Sequence, residues 1–592
     1  MLRLLVVAAL VALVPLAAPG LVCAQPTQLF PRVTYERSVE FTPHGPVVLH
    51  VVRGPRPVGL YRLRPVLSNE SVVQRESVSA MQRRLGGQAT SVGVNGDYFS
   101  FADGRPSGML LRDGVLAAAP NSGRSTVGIA LDGLLDVRKV RFLGTWRGTG
   151  QRRSLNFLNE TPGANGISLF TSDWGRSTPR IPGSFAVVLA PFPASAPDAD
   201  LAAPVVATAE DGSVALTPGA AVLVARGNAA AKLQAEAAVG ATVTVRLILQ
   251  PEWATVSDAI GGGPVLVRDG DPVYRANEAF TTSQLAPRAP RTAVGQRANG
   301  DVLLVTTDGR QPGYSVGMTN FELALALVRL GAVRAMALDS GGSSTLAFEG
   351  SVLNSPSDGN ERPVSTALML QYYGVFAPPP LADVVSPNGD GVADDQKLSF
   401  KVVRPSTVTV SLASPDGTVA AQETASRDPG TYAVAFPPAP PAVPPQEGQP
   451  APVVEPVAPA EGRWTLTVTS TDDQGLTSSI VRRFAVNSTI GFLRVAPSRL
   501  VLRRTSGANA PIRWTQTRLA RVKVTVETRE GVVLRTVSST TLQPGEQTAT
   551  WNGRAKNGKL VGSGRYVVRV TATNELGSVS LAQPLVVRQV KR

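Results

Sequence analysis

The sequence predicts an α+β N-terminal region followed by two all-β sandwiches. Three observations lead there. Gly (56) and Pro (48) together exceed one residue in six of the 592, while charged residues are only 17%. That balance disfavours a helical bundle or coiled coil and favours short strands and turns. A stretch that alternates apolar and polar residues recurs in the last third of the chain at a spacing of 102 residues. Before residue 380, strand patterns mix with a few helices, and one of these helices is clearly signalled.

In chain order, residues 1–24 come first. One Arg (Arg3) precedes an apolar run broken by Pro15, Pro19 and Gly20, and Ala24 ends a plausible cleavage site. This is the pattern of a secretory signal peptide, and the run is too short and too interrupted to span a bilayer. Export to the envelope or exterior is the localisation expected. The region 30–376 carries strand patterns such as Val47–Val52 and Val302–Thr306. Thr319 with Glu322 three residues on, an apolar run to Leu330 and then Gly331 form a capping box and a glycine stop. A strand Ala335–Leu338 follows and delivers Asp339 into a Ser/Gly loop. Ala377–Pro380 reads as a stiff linker. The repeated stretches, Gly462–Thr471 and Gly564–Thr573, are half-buried strands, and a period near 100 residues is the size of one sandwich. The sandwiches are expected over 381–487 and 490–592. A Pro-rich segment, 437–460, interrupts the first as a long loop.

Residue counts exclude much chemistry. The one Cys, Cys23, lies in the leader, so a thiol nucleophile, a disulfide scaffold and a thiolate metal site are ruled out. The two His, His44 and His50, stand far along the chain from every motif, so His-based catalysis is not expected. Carboxylates, hydroxyls, Arg/Lys and backbone amides must carry any reaction. The charge is uneven: residues 490–592 hold 18 Lys+Arg against 4 Asp+Glu, and the remaining residues are neutral. A solvated strand face explains this as well as attraction to anionic envelope polymers does. Nucleic acid is not expected for an exported chain.

Four stretches carry the candidate chemistry: Val92–Phe99, Gly261–Leu266, Pro290–Gly295, and Thr307–Arg310 running through Met318–Ala324 to Leu338–Thr345. Each is an apolar strand ending in Gly plus a polar residue. Singly, each reads as a hairpin turn. In this order, Asn95–Phe99, Gly262–Pro264, Pro290–Ala293, Asp308–Arg310, Met318–Ala324 and Asp339–Ser344 resemble the phosphodiester glycosidase family, over roughly 30–376. Ser340 departs from the family pattern, which has Gly there, and Ser disfavours the positive φ that Gly accepts. The last third resembles the Ig-like domain of the flagellar hook-capping protein. Trp551-Asn552-Gly553-Arg554, Asn557-Gly558 and Gly564-Arg565-Tyr566 carry that likeness.

The first resemblance implies a hydrolase that cleaves an N-acetylglucosamine-1-phosphodiester-like linkage in envelope or extracellular glycans. A phosphate leaving group needs little protonation, so holding the phosphate and stabilising an oxocarbenium-like state are the harder tasks. Asp339, Glu322 and Asp308 are the candidate catalytic carboxylates, with Asp339 and Glu322 as the acid/base pair. Asn95, Asp97, Arg291, Gly341, Gly342, Ser343 and Ser344 are expected to bind substrate, Arg291 through bidentate phosphate contacts and the loop through an anion nest. The alternative is a non-catalytic glycan-binding or structural envelope protein on the same scaffold. No cofactor is required by these residues. Asn388, Asp390 and Asp394 form a candidate Ca²⁺ loop in the first sandwich, with an Asx-rich turn as the plainer reading.

Overall fold

The computed structural model describes residues 25–438, 458–503 and 508–590. The leader 1–24, with Cys23, and residues 439–457 of the Pro-rich loop lie outside the described residues. The chain divides into two compact units, Met1–Tyr372 and Tyr373–Arg592.

The first unit is built on an eight-stranded sheet. Its strand order is Thr27–Phe30, Val33–Thr42, Gly45–Gly54, Val302–Thr307, Arg291–Arg297, Ala332–Ala337, Val265–Arg268 and Asp271–Pro272. The central strands are apolar on both faces because both faces are covered. Val47, Leu49, Val51, Leu303 and Val305 pack with Leu323, Ala324 and Leu327 of the helix Asn320–Arg329. That helix starts where the capping box places it: the Thr319 side chain accepts from the Glu322 amide, and the Glu322 carboxylate accepts from the Thr319 amide. A five-stranded sheet (Ser351–Val352, Leu346–Phe348, Thr90–Asn95, Thr366–Tyr372, Tyr61–Leu67) belongs to the same unit. A second five-stranded sheet adds Leu110–Arg112, Ser125–Ala130 and Val256–Gly261. Residues 141–250 form an inserted eight-stranded sheet whose core, around Trp146, Leu223 and Val245, also takes in Leu111 and Ala259 of the second five-stranded sheet.

The α+β expectation holds only in part. Among the described residues the α-helices are Val78–Leu85, Asn228–Glu236, Thr282–Leu285 and Asn320–Arg329, and the rest of the regular structure is mostly sheet. The helix Asn320–Arg329 forms where a capping box and a 3.6-residue apolar period coincide. Elsewhere β-branched residues and Gly/Pro turns favour strands.

The second unit is all β. The first sandwich sets a five-stranded sheet containing Ser406–Ala413, Gly462–Asp472 and Thr477–Val486 beside the pair Leu398–Val402 and Gly430–Val434. The second sets Ile490–Val495, Ala510–Gln516 and Gly545–Trp551 beside a five-stranded sheet containing Ala520–Thr528, Gly564–Asn574 and Gly577–Val590. The repeated strands occupy equivalent places. Gly462–Asp472 lies between Ser406–Ala413 and Thr477–Val486, and Gly564–Asn574 lies between Ala520–Thr528 and Gly577–Val590. Trp551 is buried in the second core, with its Nε1 donating to the Arg554 carbonyl at 2.9 Å.

Candidate active site

Antiparallel pairing brings the motifs to one end of the main sheet. Arg291 opens its strand opposite Thr307, and Ala293 stands opposite Ala337, so Arg291, Asp308 and Asp339 emerge at the same edge. The strand Thr90–Asn95 of the neighbouring sheet ends there too. The Asp339 amide donates to the Gly96 carbonyl at 3.0 Å. Asn95 is a clasp. Its Nδ2 donates to the Asp339 carbonyl at 2.9 Å, and its Oδ1 accepts from Thr292 Oγ1 at 2.8 Å and the Thr345 amide at 3.1 Å. It is fully buried and spends these groups on the fold.

Two carboxyls meet at this edge. Asp97 is buried; its Oδ1 accepts from the Tyr98 amide at 2.8 Å, and its Oδ2 has no partner within hydrogen-bonding geometry. Burial raises its pKa to about 7, opposed by Arg124, the Tyr98 amide and the nearby Gly108 amide and reinforced by the charge of Asp339. Asp339 keeps an edge open to solvent. Burial of its carboxyl raises its pKa to about 6 against bonds from Ser343 and the Ser340 amide and the charges of Arg362 and Arg124. Neither carboxyl is in an ion pair among the described residues. Gly108 and Gly261 are required by this arrangement: a Cβ on either would stand 2.8 or 2.5 Å from Asp97 Oδ2.

Cations surround the pair. The Arg124 guanidinium lies over the rings of Tyr98 (5.0 Å) and Phe280 (4.5 Å), with Nε and Nη1 buried and without hydrogen-bond partners. Arg362 pairs with Asp358, reaches Ser343 Oγ at 3.4 Å and lies 5.6 Å from the ring of Phe101, which is 65% exposed. Arg310 is exposed, holds a left-handed backbone (φ 59°) and is in no ion pair among the described residues. Its guanidinium lies 3.0 Å from where a Cβ on Gly341 would stand. Arg291 is different. It is 2% exposed and donates to the carbonyls of Met318, Gln284, Leu285 and Pro287, with only a 3.4 Å contact to Ser340 Oγ. Its donors are spent on stapling the segment 284–287.

The other two candidate carboxylates are already occupied. Asp308 is fully buried and accepts from His50 Nε2 (2.8 Å), Tyr314 Oη (3.0 Å), Asn354 Nδ2 (3.1 Å) and the Ser355 amide (2.9 Å). Burial would raise its pKa, but these partners, His50 foremost, hold it below the usual carboxylate value. His50 is therefore no bystander. Strand Gly45–Gly54 pairs with Val302–Thr307, which erases a separation of 258 residues. Glu322 completes the capping box and forms an ion pair with Arg288, so its carboxylate is committed at the helix start. The site thus assembles Asp97 with Asp339, and Glu322 serves the helix.

The Ser340 departure is harmless. Ser340 sits at φ −130°, and the left-handed residue is Gly341 at φ 68°. In the loop, the amides of Gly341 and Ser344 are used by the carbonyls of Pro290 and Gly341. Gly342 leaves room for the Arg362–Asp358 pair. Ser343 bonds Asp339, while Ser344 is buried with its hydroxyl unpartnered.

The candidate Ca²⁺ loop has the hydrogen bonds of an Asx turn. Asp394 accepts from the amides of Asn388, Gly389 and Gly391; Asp390 accepts from Val392 and Phe492; and Asn388 Oδ1 accepts from Asp390. The oxygens a cation would need are turned to backbone N–H groups. No cluster of three or more His, Cys, Asp or Glu suited to a metal occurs among the described residues.

Residues 200–371 match the phosphodiester glycosidase family. That span holds Arg291, Asp308, Glu322 and Asp339; Asn95 and Asp97 precede it. Residues 502–575 match the FlgD Ig-like domain. The SPbeta prophage-derived uncharacterized protein YomE of Bacillus subtilis is 32% identical over 155 residues, which are 26% of this chain and 24% of that protein. A hypothetical protein from Synechocystis superposes with a TM-score of 0.50 at 24% identity, covering 60% of this chain and 64% of that one, and shares the fold. The catalytic domain of zebrafish N-acetylglucosamine-1-phosphodiester α-N-acetylglucosaminidase gives a TM-score of 0.32 at 17% identity, covering 58% and 84%. No helix among the described residues is long and apolar enough to cross a membrane.

Proposed function

We propose that the first unit hydrolyses a sugar-1-phosphodiester, with Asp339 at the reacting carbon and Asp97 beneath it. The observation that carries this reading is the coupled pair of carboxyls, both raised above their ordinary values, inside a scaffold that matches a phosphodiester glycosidase family. Carboxyls displaced toward the neutral range and set among cations suit proton transfer near neutral pH.

The reaction balances without a cofactor. Asp339, ionised, takes a proton from water as its oxygen bonds to the anomeric carbon. The bond from that carbon to the phosphate oxygen breaks, and the phosphate monoester leaves with the electron pair. Asp97 holds its own proton below about pH 7, and its ionisation above that raises the proton affinity of Asp339. Arg310, unpaired and beside the Gly341 turn, is assigned the phosphate, because Arg291 has no donors to spare. Phe101 offers an exposed ring to the apolar face of the sugar. Asp308 acts indirectly, anchoring the turn that presents Arg310. The leader-like residues 1–24 support action outside the cytoplasm on envelope or extracellular glycans.

The test is release of free sugar from UDP-N-acetylglucosamine or a synthetic N-acetylglucosamine 1-(methyl phosphate) by the purified chain. Asp339→Asn is expected to lower turnover about 1,000-fold with a melting temperature at neutral pH no lower than the parent's. A chain that hydrolyses neither substrate, or an Asp339→Asn variant with undiminished rate, overturns the reading.

A further inference from the structure

We propose that a polar cavity beside the carboxyl pair binds the continuation of an anionic sugar chain, so that the substrate is a phosphodiester-linked glycan and not an isolated sugar phosphate. This rests on the reading above for its catalytic part only. The cavity has a volume of about 570 Å³ and is lined by Arg105, Ser107, Asn121, Arg141, Phe142 and Asn156 among others. That volume falls within the range of small-ligand sites.

Its position follows from the chain path. Ser107 donates its amide to the Tyr98 carbonyl at 2.7 Å, and the next residue, Gly108, packs on Asp97 Oδ2. Asn121 lies three residues before Arg124, the cation whose charge acts on both Asp97 and Asp339. The opposite wall, Arg141, Phe142 and Asn156, comes from the inserted sheet. The insertion therefore walls a space whose other side, at Ser107, is one residue along the chain from the glycine packed on Asp97.

The lining selects the ligand. Asn121 and Asn156 spend their Oδ1 atoms on the amides of Gly123 (3.0 Å) and Ile167 (3.1 Å), and their NH₂ groups have no protein acceptor among the described residues. Arg141 is exposed and in no ion pair among the described residues, whereas Arg105 is neutralised by Glu160 at 2.8 Å. The wall thus offers spare donors and one uncompensated positive charge. An acceptor-rich, negatively charged ligand answers both. Sugars joined by phosphates carry hydroxyl acceptors and a fresh negative charge at every linkage.

The full chain carrying Asp339→Asn, titrated by calorimetry, tests this. The probes are N-acetylglucosamine 1-phosphate and a synthetic dimer of it joined by a phosphodiester. The dimer is expected to bind at least tenfold more tightly than the monomer. Adding Arg141→Ala with Asn156→Ala should lower that ratio at least tenfold, and the milder Arg141→Gln should lower it in part. A ratio near one, or a ratio untouched by the cavity variants, overturns the proposal. Turnover by the unmodified chain is scored separately. A high dimer ratio without hydrolysis supports the cavity and overturns the hydrolase reading; hydrolysis with a ratio near one does the reverse.

Discussion

At the scale of single residues, Asp97 has a consequence independent of catalysis. A carboxyl whose folded pKa is raised binds its proton more tightly in the native state. Its contribution to stability is complete below the ordinary value of 3.8 and is lost as pH climbs through about 7. A rise of that size corresponds to roughly 4 kcal/mol. Asp97→Asn keeps the shape and removes the titration. Urea unfolding should therefore show a variant close to the parent at pH 4.5 and more stable by about 2–4 kcal/mol at pH 8. An equal gap at both pH values would mean that Asp97 is not held protonated by burial. Turnover should rise with pH through about 6 as Asp339 ionises. Asp339 was named from the sequence because its strand end occurs in order with the other motifs; singly, that strand end reads as a turn. Asp97 could be named as a binding residue but not paired with Asp339, since that pairing depends on strand ends of two sheets converging. His50 was invisible for the same reason: only strand register joins it to Asp308 across 258 residues.

At the scale of elements, the helix Asn320–Arg329 separates a structural role from a chemical one. Its capping box was readable from Thr319 and Glu322, and that reading accounts for both carboxylate oxygens once Arg288 is added. Glu322→Gln retains the cap and removes the charge. It should leave kcat within threefold, whereas a catalytic carboxylate would lose 100-fold or more. Thr319→Ala removes the cap acceptor and should cost about 1 kcal/mol in stability. Arg291 makes the same distinction for the segment 284–287. Arg291→Met would leave the carbonyls of Gln284, Leu285, Pro287 and Met318 without this donor and free that segment. Limited proteolysis should then cut near residues 284–287 before any change in KM for the phosphodiester. A raised KM with no new cleavage would return Arg291 to the phosphate.

At the scale of the whole molecule, charge and fold divide at different places. The compact units divide at Tyr372/Tyr373, but the strongest basic excess lies in the second sandwich alone: residues 1–372 hold 33 Lys+Arg against 28 Asp+Glu, and residues 373–489 offset this with 7 against 12. Residues 490–592 hold 18 Lys+Arg against 4 Asp+Glu, equal to the net +14 of the entire chain. Alternation on strands such as Arg499–Arg503 and Ala520–Thr528 buries Leu500, Leu502, Val522 and Val524, while Arg499, Val501, Arg521 and Lys523 face solvent. Side chains of this kind attract polyanions by summed, screened charge, without a pocket. At physiological ionic strength the Debye length is about 8 Å, so such binding must weaken steeply as salt rises. We propose that this sandwich retains the first unit near anionic envelope polymers. The full chain should bind a lipopolysaccharide or teichoic acid fraction at low salt, release it near molar salt, and lose it to competing polyanions. A chain ending at Tyr372 should do none of this and should still cleave a small soluble phosphodiester. Reversing three or four exposed arginines together should abolish retention, while reversing one should change it little. Binding that survives molar salt would point to a specific pocket. No binding at low salt would return the arginines to the plainer role of solvating strand faces.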